Sequence, residues 1–172
     1  MPLLNAILFI AMAFATFSQQ NPGLEWNKKS TLSAAYQVEF PGLVLEPGTY
    51  IVRLREGGER RSYVEILSRD ESQLLATITA VPDHRVRPED SSDFTFHETR
   101  EDGPRPVQSW FYSGELVGLE FIYPMARAKE IAKQTDSHVM ASDDNSIIAV
   151  TPNGKEIEID GQGTQAARRK PQ

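Results

Sequence analysis

The chain has 172 residues, contains no cysteine and carries a formal net charge of −6. This length accommodates one domain of ordinary size. The absence of cysteine excludes disulfides, thiolate nucleophiles and cysteine-based metal sites. The acidic balance argues against a nucleic-acid partner, because a basic patch would have to act against the overall field. We therefore expect a single core that is stabilised by packing alone.

The first 18 residues are predicted to be a signal peptide. Residues 1–17 are almost free of polar groups, and Ala13-Phe14-Ala15 has the small-x-small spacing of a cleavage site. The alternative is an uncleaved membrane anchor, but about 15 apolar residues are fewer than the ~20 that span a bilayer as a helix. No later segment has enough apolar residues to cross a membrane. The sequence therefore predicts an exported protein whose mature chain has no transmembrane segment.

The middle of the chain, residues 34–135, has the pattern of a β domain and follows a polar leader over residues 19–33. Its apolar residues alternate with polar ones, and turn sequences such as Glu46-Pro47-Gly48 separate the stretches. The predicted strands are 36–40 with a continuation at 43–45, 49–55, 61–68, 74–81, 93–99, 107–113 and 117–123. Because helical crossovers are missing between these strands, we expect a mainly β fold. The expected architecture is a sandwich-like or partly open barrel domain of about seven strands.

One helix is predicted at the end of this domain, after Pro124, which suits the first helical turn. The apolar residues that share one face of this helix are Met125, Ala128, Ile131 and Ala132. Beyond residue 135 the composition becomes polar and small, which predicts a mostly disordered, flexible tail over residues 136–172. Residues 147–159 are a possible hairpin within the tail. Because two strands alone are marginal in water, this hairpin would dock on the domain or on a partner.

The sequence shows no motif of a catalytic centre. The three histidines lack a metal-ligand spacing, and nucleophile-elbow, phosphate-loop and dinucleotide motifs are missing. We therefore expect neither a metal nor another cofactor. The alternative is a small hydrolase, whose site the fold would have to assemble from Glu98, Glu120, His84 and His97. Glu120 is expected to point away from Phe121, as a surface residue or as the ion-pair partner of an arginine.

Three successive aromatic residues, Trp110, Phe111 and Tyr112, form the most unusual segment of the chain. Neighbours on a strand project to opposite faces. If Phe111 is buried, Trp110 and Tyr112 share the other face, and an exposed Trp/Tyr pair is a common ligand platform. The alternative is that a helix or a second sheet covers that face. We predict Trp110 and Tyr112 as the ligand-contacting residues.

Three stretches of the chain resemble a group of short secreted bacterial β-rich proteins of unknown function. These stretches are LEPGTY at 45–50, LATI at 75–78, and WFY at 110–112 through EFIYP at 120–124. The resemblance covers roughly residues 31–135. It implies export and a small β domain, and it implies no activity, cofactor or catalytic residue.

These observations favour a non-enzymatic, secreted or envelope-associated binding module. Its partner would be an envelope protein or a glycan. The small hydrolase is the first alternative. The second is a structural envelope protein, in which the hairpin at 147–159 adds a strand to the sheet of a neighbouring molecule.

Overall fold

A computed structural model describes the chain over residues 28–56, 61–99, 103–143, 146–159 and 165–166. The predicted signal peptide lies outside these residues. Within them the protein is mainly β with one short helix, as expected. No helix in the described ranges is long and apolar enough to cross a membrane.

Over the described ranges the fold consists of two mixed sheets and one helix, α1 (Met125–Thr135). The strands of the first sheet are β1 (Lys29–Ala34), β2 (Val38–Phe40), β3 (Leu43–Leu45), β4 (Gly48–Glu56), β5 (Ser62–Ser68), β6 (Leu74–His84), β7 (Asp93–Phe96), β8 (Arg105–Phe111) and β9 (Val117–Phe121). The strands of the second sheet are β10 (Tyr123–Pro124), β11 (Val139–Ser142), β12 (Ile147–Val150), β13 (Glu156–Ile159) and β14 (Gln165–Ala166).

The first sheet has the strand order β1-β4-β5-β6-β9-β8-β2-β3, and β7 also pairs with β8. Every pairing along the path from β1 through β4, β5, β6, β9 and β8 to β7 is antiparallel. Each antiparallel step reverses the strand direction, and the path has an even number of steps. The two ends of the path, β1 and β7, therefore run in the same direction along the sheet.

The main core lies on the inner face of the first sheet. Phe40 and Phe121 meet there edge to face, with ring centroids 5.1 Å apart, and Ile131 brings the apolar face of α1 against the same core. Full burial of a large apolar side chain contributes about 1.5–3 kcal/mol, so these residues account for much of the stabilisation. The predicted helix is therefore confirmed, together with its apolar face.

Polar contacts fix α1 on the sheet. The Arg127 guanidinium donates two hydrogen bonds of 2.7 Å to the carboxylate of Glu39 on β2. The buried Tyr123 hydroxyl, just before the helix, lies 2.9 Å from the carbonyl oxygens of both Glu39 and Val107. A bidentate pair adds geometric specificity to the attraction between the charges. The start of the helix is thereby held against β2 and β8.

The residues after the helix were expected to be a mostly disordered tail with a possible hairpin at 147–159; the expectation of disorder is wrong for 139–142, and 147–150 and 156–159 form the two arms of the hairpin. These segments form β11, β12 and β13, and β11 and β12 contribute Val139 and Val150 to the main core. The predicted hairpin docks on the domain by pairing β12 with β11. Composition hides β11, because its apolar run, Val139 to Ala141, has only three residues and lies between polar stretches. Residues 160–164 and 167–172 lie outside the described part of the chain.

The predicted leader also needs correction at its end. Residues 29–33 belong to β1, which pairs with β4 along its whole length. Ser30 and Leu32 are buried, whereas Lys29, Thr31 and Ser33 are exposed. An edge strand that buries a serine among its inward residues has too few apolar positions to be recognised by alternation.

Candidate binding site

Trp110 does not lie on the surface, contrary to the expectation of an exposed Trp/Tyr pair. Its side chain is 2% exposed and belongs to the main core. Its Nε1 donates a hydrogen bond of 3.0 Å to Ser30 Oγ on β1, and its ring stacks on Phe94 with centroids 6.3 Å apart. Phe111 points to the opposite face and is also buried. Both faces of β8 are therefore covered, and Ser30 and Phe94 of the first sheet contribute to the cover over Trp110.

Tyr112, the second predicted contact residue, is half-buried and follows the end of β8. The Nζ atom of Lys28 lies 5.8 Å from the centroid of its ring. Lys28 is itself buried and forms an ion pair of 3.1 Å with Glu115. The structure thus places Trp110 in the interior and Tyr112 beside an ion pair of which only the lysine is buried, so the two side chains do not form one platform.

A different surface feature, an apolar groove of about 250 Å³, lies between β1 and β7. Its floor includes Leu32 and Val38, and its aromatic lining comes from Tyr36, Phe94 and Phe96. Tyr36 is 39% exposed and meets Phe96 edge to face, with centroids 6.4 Å apart. We call this feature the β1–β7 groove. No local pattern in the sequence could reveal this groove, because β2 to β6 lie between its two walls along the chain.

Among the described strands β1 pairs with β4 alone, so the other edge of its backbone has no partner strand there and lies beside this groove. Leu54 N–H donates to the Lys28 carbonyl at 2.8 Å, which makes this pair a hydrogen-bonded one in the antiparallel ladder. Hydrogen-bonded pairs alternate along such a ladder. Ser30 and Leu32 therefore bond to β4, while the N–H and C=O groups of the intervening Thr31 point away from it. On the other side of the groove, β7 pairs with β8 alone among the described strands.

A cation lies at one end of the groove. The Arg105 guanidinium is 3.8 Å from the centroid of the Tyr36 ring, and Arg105 is exposed. An exposed cation–π contact of this kind contributes about 0.5–1 kcal/mol. Within the described ranges Arg105 forms no ion pair. Its guanidinium therefore lies beside an aromatic residue that lines the groove.

The four residues proposed for a hydrolase do not come together. His84 and Glu98 are exposed, whereas His97 is buried and Glu120 is half-buried. In the described part of the chain none of the four contacts another by a hydrogen bond, ion pair or ring contact, and no three His, Asp or Glu side chains are grouped so that they could hold a metal. The predicted candidates therefore have no shared site in this fold.

His97 is enclosed by the end of α1 and the start of the second sheet. Its Nδ1 atom lies 3.2 Å from Ser137 Oγ, and its ring meets the Tyr123 ring edge to face at 6.3 Å. Burial lowers the pKa of His97 to about 4. The imidazole is therefore neutral at ordinary pH and acts as a packed polar side chain.

Glu120 lies on the sheet face opposite the main core, as expected, but its charged neighbour is a carboxylate and not an arginine. Asp83 on β6 accepts a hydrogen bond of 2.7 Å from the buried Ser109 hydroxyl, and Ser109 is the cross-strand partner of Glu120. Burial and then the negative charge of Asp83 raise the pKa of Glu120 to about 8, while a hydrogen bond from Gln108 opposes the rise. Glu120 therefore holds a proton at neutral pH.

We expect Glu120→Gln to reduce the pH dependence of stability. Between about pH 4.5 and pH 8 the unfolded chain ionises at Glu120 while the folded chain keeps the proton, so the free energy of unfolding falls as the pH rises through this window. Glutamine cannot ionise, so above pH 8 the free energy of unfolding of the variant should be about 1–3 kcal/mol higher than that of the wild type. Urea unfolding at several pH values measures this difference. The exposed Glu98→Gln is the control, and an unchanged pH slope in Glu120→Gln would contradict the assigned pKa.

Comparison of the chain with models of known protein families, with curated proteins and with solved structures gave no match. A functional proposal for this protein therefore depends on the geometry of its own residues.

Proposed function

We propose that the protein is an exported, non-enzymatic binding module that holds an extended stretch of another polypeptide in the β1–β7 groove. Export follows from the predicted signal peptide, residues 1–18, and places the partner in the cell envelope or outside the cell. The observation that supports binding most strongly is the apolar groove between two strand edges that are unpaired within the described residues.

An extended polypeptide fits this groove better than a glycan does. Glycan platforms need exposed aromatic faces; Trp110, which was the best candidate for such a face, is buried, and the Arg105 guanidinium already lies over the Tyr36 ring in the groove. An unpaired strand edge offers main-chain donors and acceptors that match another strand, and the pockets beside it select side chains. Each main-chain hydrogen bond contributes about 0.5–1.5 kcal/mol net to the free energy of binding. Burial of apolar ligand side chains against Phe94 and Phe96 makes a further favourable contribution.

In this proposal the first sheet is a partly open barrel. Trp110 on β8 reaches across the interior to Ser30 on β1, and β1 and β7 line the same groove. The groove is then the opening of the barrel. Natural proteins usually block free strand edges with charge, proline or a covering segment, because such edges pair with other chains. An uncharged edge at Thr31 and Ser33 suits a strand that is meant to receive a partner.

The two alternative functions have weaker geometric support. The hydrolase needs Glu98, Glu120, His84 and His97 in one place, and the fold does not bring them into contact. The structural role needs a free strand in the hairpin at 147–159, but β12 and β13 each have a partner strand on both sides.

Photocrosslinking in the producing cells tests the proposed function. We would place a photoreactive amino acid at Phe96 in the groove and, as a control, at Val86, which is 96% exposed and does not line the groove. We expect a polypeptide to be captured from position 96 and not from position 86. Equal capture at both positions, or capture at neither, would count against the groove as the binding site.

Binding of the captured segment as a synthetic peptide then gives a quantitative prediction. Phe96→Ala should weaken the affinity about 10- to 30-fold, because loss of a central aromatic contact at an interface costs about 2 kcal/mol. Val86→Ala should leave the affinity unchanged. Calorimetric titration measures both values, and circular dichroism shows whether each variant is folded. Unaltered affinity of a folded Phe96→Ala protein would exclude this groove.

A further inference from the structure

The two walls of the β1–β7 groove run in the same direction. Trp110 is the cross-strand partner of Phe94 on β7 and bonds to Ser30 near the start of β1. Further along both strands, Tyr36 follows β1 and contacts Phe96 at the end of β7. Residue numbers therefore increase in the same direction on both sides, in agreement with the even number of antiparallel steps between β1 and β7.

This arrangement sets the direction of an entering strand. A strand that runs opposite to β1 is antiparallel to β7 as well, so it can form the more stable antiparallel ladder with either edge. A strand that runs along β1 would be parallel to both edges. The groove therefore favours a ligand segment whose N-terminal end lies beside Tyr36 and whose C-terminal end lies beside Lys29.

The charges at the two ends of the groove differ. At the Lys29 end, Lys29 already pairs with Glu71 at 2.8 Å, and Lys28 pairs with Glu115. At the Tyr36 end, Arg105 has no carboxylate partner among the described residues. A guanidinium binds a carboxylate through two parallel hydrogen bonds, so Arg105 suits an acidic ligand residue.

We infer that the partner is an extended segment with alternating apolar residues, bound antiparallel to β1, and that an acidic residue near its N-terminal end pairs with Arg105. This specificity rests on the proposed function, since it names the ligand of the same groove. Arg105 is thus a specificity-determining residue, and the apolar rings of the groove provide the affinity that does not depend on ligand charge.

Two synthetic peptides of equal composition test this inference on the full chain. Each alternates valine and threonine over about seven residues, the length of an ordinary strand, and has blocked ends. One peptide carries glutamate at its first position and the other at its last. We expect the first peptide to bind about fivefold more tightly, the effect of one exposed ion pair of about 1 kcal/mol. Arg105→Gln should remove this preference, and Arg87→Gln, a change at an exposed arginine outside the groove, should preserve it.

The outcomes separate this inference from the proposed function. Tighter binding of the second peptide, or equal binding of both peptides to the wild type, would overturn the inference. In either case, loss of binding of both peptides in Phe96→Ala would still support the groove as the binding site. The inference and the proposed function would both be overturned if neither peptide binds and the chain is dimeric through this edge. They would also both be overturned if neither peptide binds and the Thr31 amide is already protected in the free monomer. In those cases the occupant is a second copy or another segment of this chain.

Discussion

Replacing Trp110 by alanine is expected to lower the free energy of unfolding by about 3–5 kcal/mol, because truncation of a buried tryptophan leaves a large cavity. The side chain is 2% exposed, stacks on Phe94 and bonds to Ser30 on β1. The loss should therefore also loosen β1, whose connection to β8 runs through this contact. Urea unfolding followed by far-UV circular dichroism measures the change.

Two further variants show which part of the Trp110 contact matters. Trp110→Phe retains most of the packing but removes the hydrogen bond to Ser30. We expect the lost hydrogen bond to lower the free energy of unfolding by about 1 kcal/mol, in addition to the effect of the smaller side chain, so the total loss is smaller than in Trp110→Ala. Tyr112→Ala, at the neighbouring half-buried position, should lower the free energy of unfolding by less than Trp110→Ala does. If Trp110→Ala kept full stability and lost only ligand binding, the side chain would be a surface contact residue and the described packing would be wrong.

Gly118→Ala is expected to destabilise the protein by about 1–3 kcal/mol, the usual cost of forcing an extra methyl group into a packed site. A Cβ atom at Gly118 would lie closer than 3.0 Å to ring carbons of Phe111 on the neighbouring strand β8. The ring has little room to move away, because the Arg85 guanidinium lies over it at 4.9 Å and donates a hydrogen bond to the Glu115 carbonyl at 2.8 Å.

Gly103→Ala is the matched control for Gly118→Ala, because a Cβ atom at Gly103 would meet nothing within 4 Å. Its thermal midpoint should stay close to that of the wild type, whereas that of Gly118→Ala should fall by several degrees. Equal thermal midpoints for the two variants would show that the packing of Phe111 does not require glycine at position 118.

Alternation in the sequence could predict the strands that bury one face. The predicted strands at 49–55 and 117–123 agree with β4 and β9, although the second prediction runs two residues past the end of β9. Alternation missed β1, where Ser30 occupies an inward position, and it missed β11, whose apolar run is short, whereas β12 and β13 correspond to the possible hairpin at 147–159. In these strands burial is decided by contacts with distant elements, and local composition does not record them.

The candidate site could not be predicted from sequence for a related reason. Alternation correctly placed Trp110 and Phe111 on opposite faces, but it could not show that both faces are covered. The β1–β7 groove depends on the contact between Tyr36 and Phe96, although 60 positions separate them. No local pattern of residues records a contact over that distance in the sequence.

Residue-resolved amide hydrogen exchange on the full chain tests the unpaired edge of β1 most directly. We predict slow exchange at Ser30 and Leu32, which bond to β4, and fast exchange at Thr31 and Ser33, which face the groove. Addition of the peptide with glutamate at its first position should protect Thr31 and Ser33 selectively. Protection of Thr31 and Ser33 in the free chain would show that the edge is already paired and would contradict the proposed binding site.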